Sequence, residues 1–429
     1  MAETATTRPM NMQVSDMAEN LIGSEIIKLA AEINEKIKKG ERIYNYTIGD
    51  FNPNIFPIPV ELNEAIINAY NEHQTNYPAA NGMADLRKAV SAYLKQEACL
   101  DYSADEILIS GGARPLIYAT YITLLDPGDT VIFPVPSWNN NHYCHLARVN
   151  PIFLETSPEN NFMPIPADIK PHLANATMLA LCSPLNPTGT VFAKEQLEEI
   201  CDLVLEENRR RGPDAKPLYL MYDQIYWVLT FGETKHYDPV TLRPEMRNYT
   251  IFIDGISKSL AATGVRVGWS FGPKPIIDKM KAILSHVGAW APKAEQMATA
   301  QYLANTPAVN SFLKTFKKEI ELRLRGFYDG FMLLKKEGFP VDAIAPQAAI
   351  YLTIKLNLVG KKLPDGTLIT DQGQVTQYIL DAAKLAVVPF SAFGAAHQSP
   401  WYRLSVGTCA HNEIPEVYTA LKKALSALN

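Results

Sequence analysis

The sequence predicts an α/β protein: a large domain whose mostly parallel sheet is flanked by helices, and a second, smaller α+β domain. Three observations lead there. Short apolar runs rich in Val, Ile and Leu trade places with helical periodicity from about residue 60 to residue 253, the pattern of strands joined by crossover helices. These runs are apolar throughout, as expected of strands covered on both faces. After a long helical region at about 294 to 337, the pattern changes to strand, helix, two strands and a final helix.

Taken in order, residues 1 to 15 read as disordered or loosely attached. Leu21, Ile22, Ile26, Ile27, Leu29, Ala30, Ile33 and Ile37 then follow helical spacing, and Gly40 ends the helix. Pro53, Pro57 and Pro59 exclude regular structure from 51 to 59, which becomes a connecting loop. Helices are predicted over 61–72, 84–98, 114–125, 138–147 and 194–209. The strands between and after them are 107–109, 130–133, 151–154, 178–181, 218–221 and 250–253. Arg209, Arg210 and Arg211 suit the negative end of the helix they close. The second lobe contributes strands 350–354, 386–388 and 403–406, a helix at 372–385 and a final helix.

The 429 residues are 47% hydrophobic and 20% charged, ample for a large core and more than one domain. A net charge of -5 argues against a nucleic-acid or anionic-membrane binder and favours small-molecule chemistry. The five cysteines form no C-x-x-C pair, and their odd number leaves a free thiol, which suits a reducing compartment. Met1 to Arg8 is polar, with no apolar segment after it long enough to span a bilayer, so a cytoplasmic protein is expected. Neither G-x-x-x-x-G-K-[ST] nor G-x-G-x-x-G occurs, which gives no support to an NTPase or a dinucleotide fold.

Lys258 follows the apolar run Thr250 to Ile253, at the carboxyl edge of the predicted sheet, where open α/β sheets bind ligands. A lysine there, desolvated and near other cations, can be held neutral and form an imine with a cofactor carbonyl. Four other segments end strands of the same sheet. Ser110-Gly111-Gly112-Ala113-Arg114 opens a helix and offers backbone N–H groups to an anion, although such a turn is also common without one. Trp138 is placed to stack on a flat ring, or simply to fill the core. Ser183-Pro184-Leu185-Asn186-Pro187-Thr188-Gly189 is a rigid turn that presents Asn186, with room for a cis bond before Pro187. Asp223 and Tyr226, in Asp223-Gln224-Ile225-Tyr226, can reach one ring, while the bland reading of Asp223 is a helix cap.

The chain resembles the class I/II aminotransferases, pyridoxal-phosphate enzymes of fold type I related to aspartate aminotransferases, over nearly its whole length. The motifs that carry the likeness are Asn76-Tyr77-Pro78 followed by Asn81-Gly82 and Leu86-Arg87, the Gly-Gly turn, the Asn186 turn, Asp-Gln-Ile-Tyr, Ser257-Lys258 with Arg266, and Tyr402-Arg403-Leu404-Ser405. The resemblance implies a sheet of the seven-stranded type and a small domain built from both termini. It divides the chain into an N-terminal arm with part of the small domain (1–60), a large cofactor domain (61–325) and a small C-terminal domain (326–429).

By the same likeness Lys258 forms the imine with pyridoxal 5'-phosphate and later moves the substrate α-proton. Asp223 pairs with the pyridinium nitrogen, Tyr226 and Asn186 hydrogen-bond the phenolic oxygen, and Trp138 stacks on the ring. Gly112, Ala113, Ser257 and Arg266 hold the phosphate, and Tyr77 reaches the phosphate in the neighbouring subunit of a homodimer with shared sites. Arg403, with the Gly49 backbone, clamps the substrate α-carboxylate, a task that suits a guanidinium fork. The implied reaction moves an amino group between an L-amino acid, aspartate-like or aromatic/aliphatic, and a 2-oxo acid in two half-reactions. The alternatives on the same fold are a C–S β-lyase or a decarboxylase.

Two departures from the family pattern stand out. Gly255 replaces a hydroxyl residue three positions before the lysine, and Phe390 replaces glycine in Pro389-Phe390-Ser391-Ala392-Phe393-Gly394. Phe390, Phe51 and Trp290 are candidates for a pocket lining, and Lys293 for a cation that meets an acidic side chain. Lys361 to Gly366 reads as an added hairpin, and His142-Tyr143-Cys144-His145 as packing residues rather than metal ligands.

Overall fold

The computed structural model describes residues 13–21 and 25–429. Most of the segment read as disordered, and Ile22 of the first helical stripe, lie outside the described residues; the helix itself runs over Glu25–Lys38.

Seven strands form the central sheet: β1 (Ile107–Ser110), β2 (Thr130–Val135), β3 (Asn150–Glu155), β4 (Met178–Cys182), β5 (Tyr219–Asp223), β6 (Thr250–Gly255) and β7 (Gly268–Phe271). Their spatial order is β1-β7-β6-β5-β4-β2-β3. Six of them run parallel, and β7 lies antiparallel between β1 and β6. Sequence periodicity finds the six and misses β7, because Gly-Trp-Ser-Phe is too short and too polar to show a pattern.

Alternation along the strands sorts side chains onto two faces. Leu179, Leu181, Leu220, Tyr222 and Phe252 enter one buried cluster, whereas Met178, Ala180, Met221, Ile251 and Ile253 enter the other. This parity places Asp223 on the Met221 side. The carboxyl end of each of the six parallel strands then delivers its loop to one edge of the sheet. The observed helices begin and end within a few residues of those predicted, among them Ala84–Ala98, Ala113–Leu124 and Lys194–Arg211. The helix expected from residue 138 starts at Asn140, because Asn139 adopts a left-handed conformation (φ 59°) and leaves Trp138 in the loop.

A second sheet is wholly antiparallel, with β8 (Val341–Ala343), β9 (Tyr351–Leu356), β10 (Val388–Pro389) and β11 (Trp401–Ser405) in the order β10-β11-β9-β8. The single strand expected at 386–388 is divided. Leu385–Ala386 pairs in parallel with Tyr44–Asn45, and only Val388–Pro389 joins the small sheet. The N-terminal segment therefore packs with the C-terminal one, as the likeness implies. The 31-residue helix Thr306–Lys336 is continuous across the expected 325/326 boundary; its Phe316, Ile320, Leu324, Phe327, Phe331 and Leu334 are buried in the small-sheet core. Lys362 and Leu368 form the bridge of the added hairpin.

Candidate active site

At the carboxyl edge of the large sheet lies a cavity of about 610 Å³, bordered by Gly49, Ala113, Trp138, Asn186, Asp223, Tyr226, Ser257, Lys258, Arg266 and Arg403, among others. That volume suits a cofactor together with a small substrate. Lys258 sits in the short helix Ile256–Ser259 that β6 feeds directly. Its amine donates to the Gly49 carbonyl and lies 5.7 Å from the Phe51 ring and 5.9 Å from the Tyr226 ring. Burial lowers this amine to about 8; Asp50 opposes the shift, and Arg403, Arg114 and Arg266 add to it. The neutral fraction needed for attack on a carbonyl is therefore present near neutral pH.

Asp223, at the end of β5, accepts from the Ile225 backbone N–H at 3.0 Å. Burial pushes its carboxyl up to about 6. No cation of the described residues lies within ion-pair distance of it, so the fold leaves it in want of a positively charged partner. Tyr226 is buried on the same wall, and its hydroxyl lies 2.6 Å from that of Tyr351.

Gly112 caps the helix Ala113–Leu124 with φ 94°, and an added Cβ would stand 2.3 Å from Arg266 Nη2. A glycine is required here for both reasons. Arg266 is fixed by donating to the carbonyls of Thr263 and Gly111, each at 2.7 Å. The positive helix end, the backbone N–H groups behind Gly112, Ser257 and this guanidinium together form an anion cradle. Gly255 is explained by close packing: a Cβ would lie 2.8 Å from the Gly268 Cα and 2.9 Å from the Val267 carbonyl, so β7 leaves no room for a hydroxyl side chain there.

Arg403 in β11 is 2% exposed. Its Nη1 donates to Asn186 Oδ1 at 3.0 Å and its Nη2 to the Thr47 carbonyl at 2.6 Å, while Nε is buried without a partner. The guanidinium lies 4.7 Å over the Tyr351 ring and 4.8 Å over that of Phe393. No carboxylate of the described residues neutralises it, and desolvation lowers its pKa. A Cβ on Gly49 would stand 3.5 Å from its Nη1 and 2.7 Å from the Tyr351 hydroxyl, so backbone alone fits there. Asn186 is held in the predicted turn, with cis bonds before Pro184 and Pro187.

Trp138 lines the cavity, with Arg114 5.4 Å over its ring. Tyr77 lies outside this cavity, 81% exposed, with its ring 5.2 Å from that of Trp290. Phe390 does not narrow the site: it is wholly buried against Phe162, 5.1 Å between rings. The amine of Lys293 is engaged by Asn76 Oδ1 at 2.6 Å, away from the cavity. Sequence reading missed Arg114, Asp50 and Tyr351. Arg114 adjoins the recognised Gly-Gly turn and was open to notice; Tyr351, inside an ordinary apolar strand, gave no signal. Among the described residues no group of three or more His, Cys, Asp or Glu is placed to hold a metal ion, and no helix is long and apolar enough to cross a membrane.

The fold and this edge of the sheet agree with the class read from the motifs, and the chain belongs to the class I and II aminotransferases, whose family model matches residues 50–421. It is a pyridoxal-phosphate-dependent aminotransferase. It is 30% identical over 377 residues to the probable aspartate/prephenate aminotransferase of Rickettsia prowazekii (strain Madrid E), covering 87% of this chain and 90% of that one. It is 27% identical over 432 residues to the aspartate aminotransferase of Rhizobium meliloti (strain 1021), covering 100% of both. The crystal structure of the Rhizobium meliloti aspartate aminotransferase superposes with a TM-score of 0.89 at 25% identity, covering 97% of this chain and 100% of that one. The Thermus thermophilus aspartate aminotransferase with maleate gives 0.85 at 24% identity, over 96% and 100% of the two chains, a likeness of fold. These relatives favour amino transfer over the lyase and decarboxylase alternatives.

The residues present fit the family cofactor. An anion cradle that a Cβ at Gly112 would fill suits a phosphate, a desolvated carboxyl without a cation suits a protonated ring nitrogen, and an amine lowered to about 8 suits an aldehyde.

Proposed function

We propose that this cavity transfers the amino group of a dicarboxylic, aspartate-like L-amino acid to a 2-oxo acid, with Lys258 as attachment point and proton carrier. The observation that carries the reading is one cavity holding a partly neutral lysine, a desolvated acid and a carboxylate-free arginine. Pyridoxal phosphate, when bound, supplies a carbonyl that condenses with amines and a ring that accepts electrons released at the substrate carbon.

Asp223 keeps the ring nitrogen protonated, and Tyr226 and Asn186 donate to the phenolic oxygen. Trp138 covers one ring face. Gly112, Ala113, Ser257 and Arg266 bind the phosphate. Arg403 holds the substrate α-carboxylate beside the Gly49 backbone, with Asn186 and Thr47 fixing the guanidinium beforehand. With pyridoxal phosphate bound, Lys258 would take the substrate α-proton and deliver it to the carbon that began as the cofactor carbonyl, a task suited to an amine that titrates near working pH.

The acidic side chain is assigned from charge. Arg266 is committed to the phosphate and Arg403 to the α-carboxylate, which leaves Arg114 as a cavity-lining cation with no ion-pair partner among the described residues. The relatives named for aspartate and for aspartate/prephenate support the same class. A homodimer is supported by Tyr77, an aromatic that is 81% exposed and lines no part of its own chain's cavity. A cytoplasmic location is supported by five unpaired thiols.

The test is an absorbance scan for bound cofactor, followed by half-reactions with a panel of amino acids. Bleaching by aspartate with release of its 2-oxo acid is expected. A protein that stays colourless after addition of pyridoxal phosphate refutes the reading, and ammonia with pyruvate in the absence of an oxo-acid acceptor makes it a lyase.

A further inference from the structure

Tyr226 is tied to a second tyrosine that has no part in the mechanism above. The Tyr226 and Tyr351 hydroxyls lie 2.6 Å apart in the buried interior, although the residues are 125 positions apart along the chain. Tyr351 opens β9, and Thr353 of that strand faces Arg403 across the β9–β11 ladder. Tyr351 is therefore diagonal to Arg403 on the same face. Its backbone abuts the Asn186 turn: a Cβ on Gly189 would stand 2.3 Å from the Tyr351 carbonyl oxygen, and Ala348 N donates to the Gly189 carbonyl at 2.9 Å. Its hydroxyl borders the cavity at Gly49.

We infer that Tyr351 is a positioning residue for the cofactor's phenolic oxygen, acting by donating its own proton to the Tyr226 oxygen. The inference rests on the reading of Tyr226 given above. Each hydroxyl carries one proton. If that of Tyr226 is directed to the cofactor, the Tyr226 oxygen must accept at the short contact, and Tyr351 is its one hydrogen-bond partner among the described residues. The direction is favoured by charge, because the Arg403 guanidinium over the Tyr351 ring stabilises electron density there and makes this hydroxyl the better donor. Burial raises both phenols, so neither ionises at working pH.

A hydroxyl that accepts one hydrogen bond is polarised and donates a stronger one, and the effect is larger where water is excluded. Tyr351 thus strengthens the Tyr226 contact without touching the cofactor. A stronger contact stabilises negative charge on the phenolic oxygen and so lowers the proton affinity of the cofactor's link to Lys258.

The experiment compares the holoenzyme with Tyr351→Phe, Tyr226→Phe and the double variant, recording the pH midpoint at which the bound cofactor changes colour. Tyr226→Phe raises the midpoint; Tyr351→Phe raises it by about half a pH unit; and the double variant matches Tyr226→Phe alone, since Tyr351 acts only through that hydroxyl. An unchanged midpoint in Tyr351→Phe, with a shift in Tyr226→Phe, overturns the inference and leaves the reading of Tyr226 standing. Equal shifts from Tyr351→Phe in both backgrounds overturn it as well. No shift in Tyr226→Phe removes that reading and the inference together.

Discussion

Asn186 Oδ1 accepts from Arg403 Nη1 at 3.0 Å, which joins a turn of the large sheet to a strand of the small one at the place assigned to the substrate carboxylate. The guanidinium plane is therefore set before substrate arrives, and its enclosure leaves a carboxylate as the species best able to complete its hydrogen bonding. Arg403→Lys keeps the charge and loses the fork. Steady-state kinetics on the variant should show kcat/KM lowered by about 2–4 kcal/mol, roughly 30- to 1000-fold, while the cofactor spectrum remains.

Lys258→Ala should abolish turnover and leave the fold, read by circular dichroism, unchanged. The pH dependence of the wild-type lysine follows from burial. With the amine at about 8, the rate at which the cofactor-free protein captures pyridoxal phosphate should rise with pH and level off above that value. Stopped-flow absorbance reads the midpoint; one near that of a free lysine would contradict the burial argument.

Arg114 provides a test of the substrate class. Arg114→Ala should lower kcat/KM for aspartate by about 10- to 100-fold and barely change that for an aromatic amino acid, because only the former offers a second carboxylate. Equal losses for both would assign Arg114 to the cofactor instead.

Gly112→Ala forces a side chain into a left-handed backbone position against Arg266. Cofactor retention, measured by dialysis and absorbance, should weaken about tenfold or more.

Asp254 yields a stability prediction outside the catalytic set. It accepts from Trp227 Nε1 at 3.0 Å and from the Gly255 N–H at 2.7 Å, and burial raises its carboxyl to about 8. In the unfolded chain it ionises at about 3.9. Between these values the native state keeps a proton that the unfolded state has released, so stability falls as pH rises through the window. Thermal melts of Asp254→Asn should decline less from about pH 5 to about pH 9 than those of the wild type.

Strand positions and the edge they share were legible because buried parallel strands are written as short, wholly apolar runs. Asp223, Asn186, Trp138 and Lys258 could be placed on that edge from local sequence. The antiparallel β7 was not legible, since four residues beginning with glycine carry no period, although it is β7 that forbids a side chain at Gly255. Phe390 misled for the opposite reason: its neighbours match a loop motif, while its ring is claimed by Phe162 and the small-sheet core. Tyr351 shows the limit most sharply, because its partnership with Tyr226 is created by tertiary docking alone.

Arg403 and the Thr47 carbonyl that anchors it are 356 positions apart, and Tyr44–Asn45 pairs with Leu385–Ala386 just beside them. During synthesis Lys258 and Asp223 emerge well before Arg403, while Tyr44–Asn45 waits for Leu385–Ala386. A growing polypeptide can thus build the strands that carry Lys258 and Asp223 before Arg403, the residue proposed to hold the substrate carboxylate, has been made. Contacts so distant in sequence carry a larger closure entropy than local ones, which favours their forming after the sheet. Recovery of carboxylate binding after dilution from denaturant should accordingly lag behind recovery of the sheet's circular dichroism.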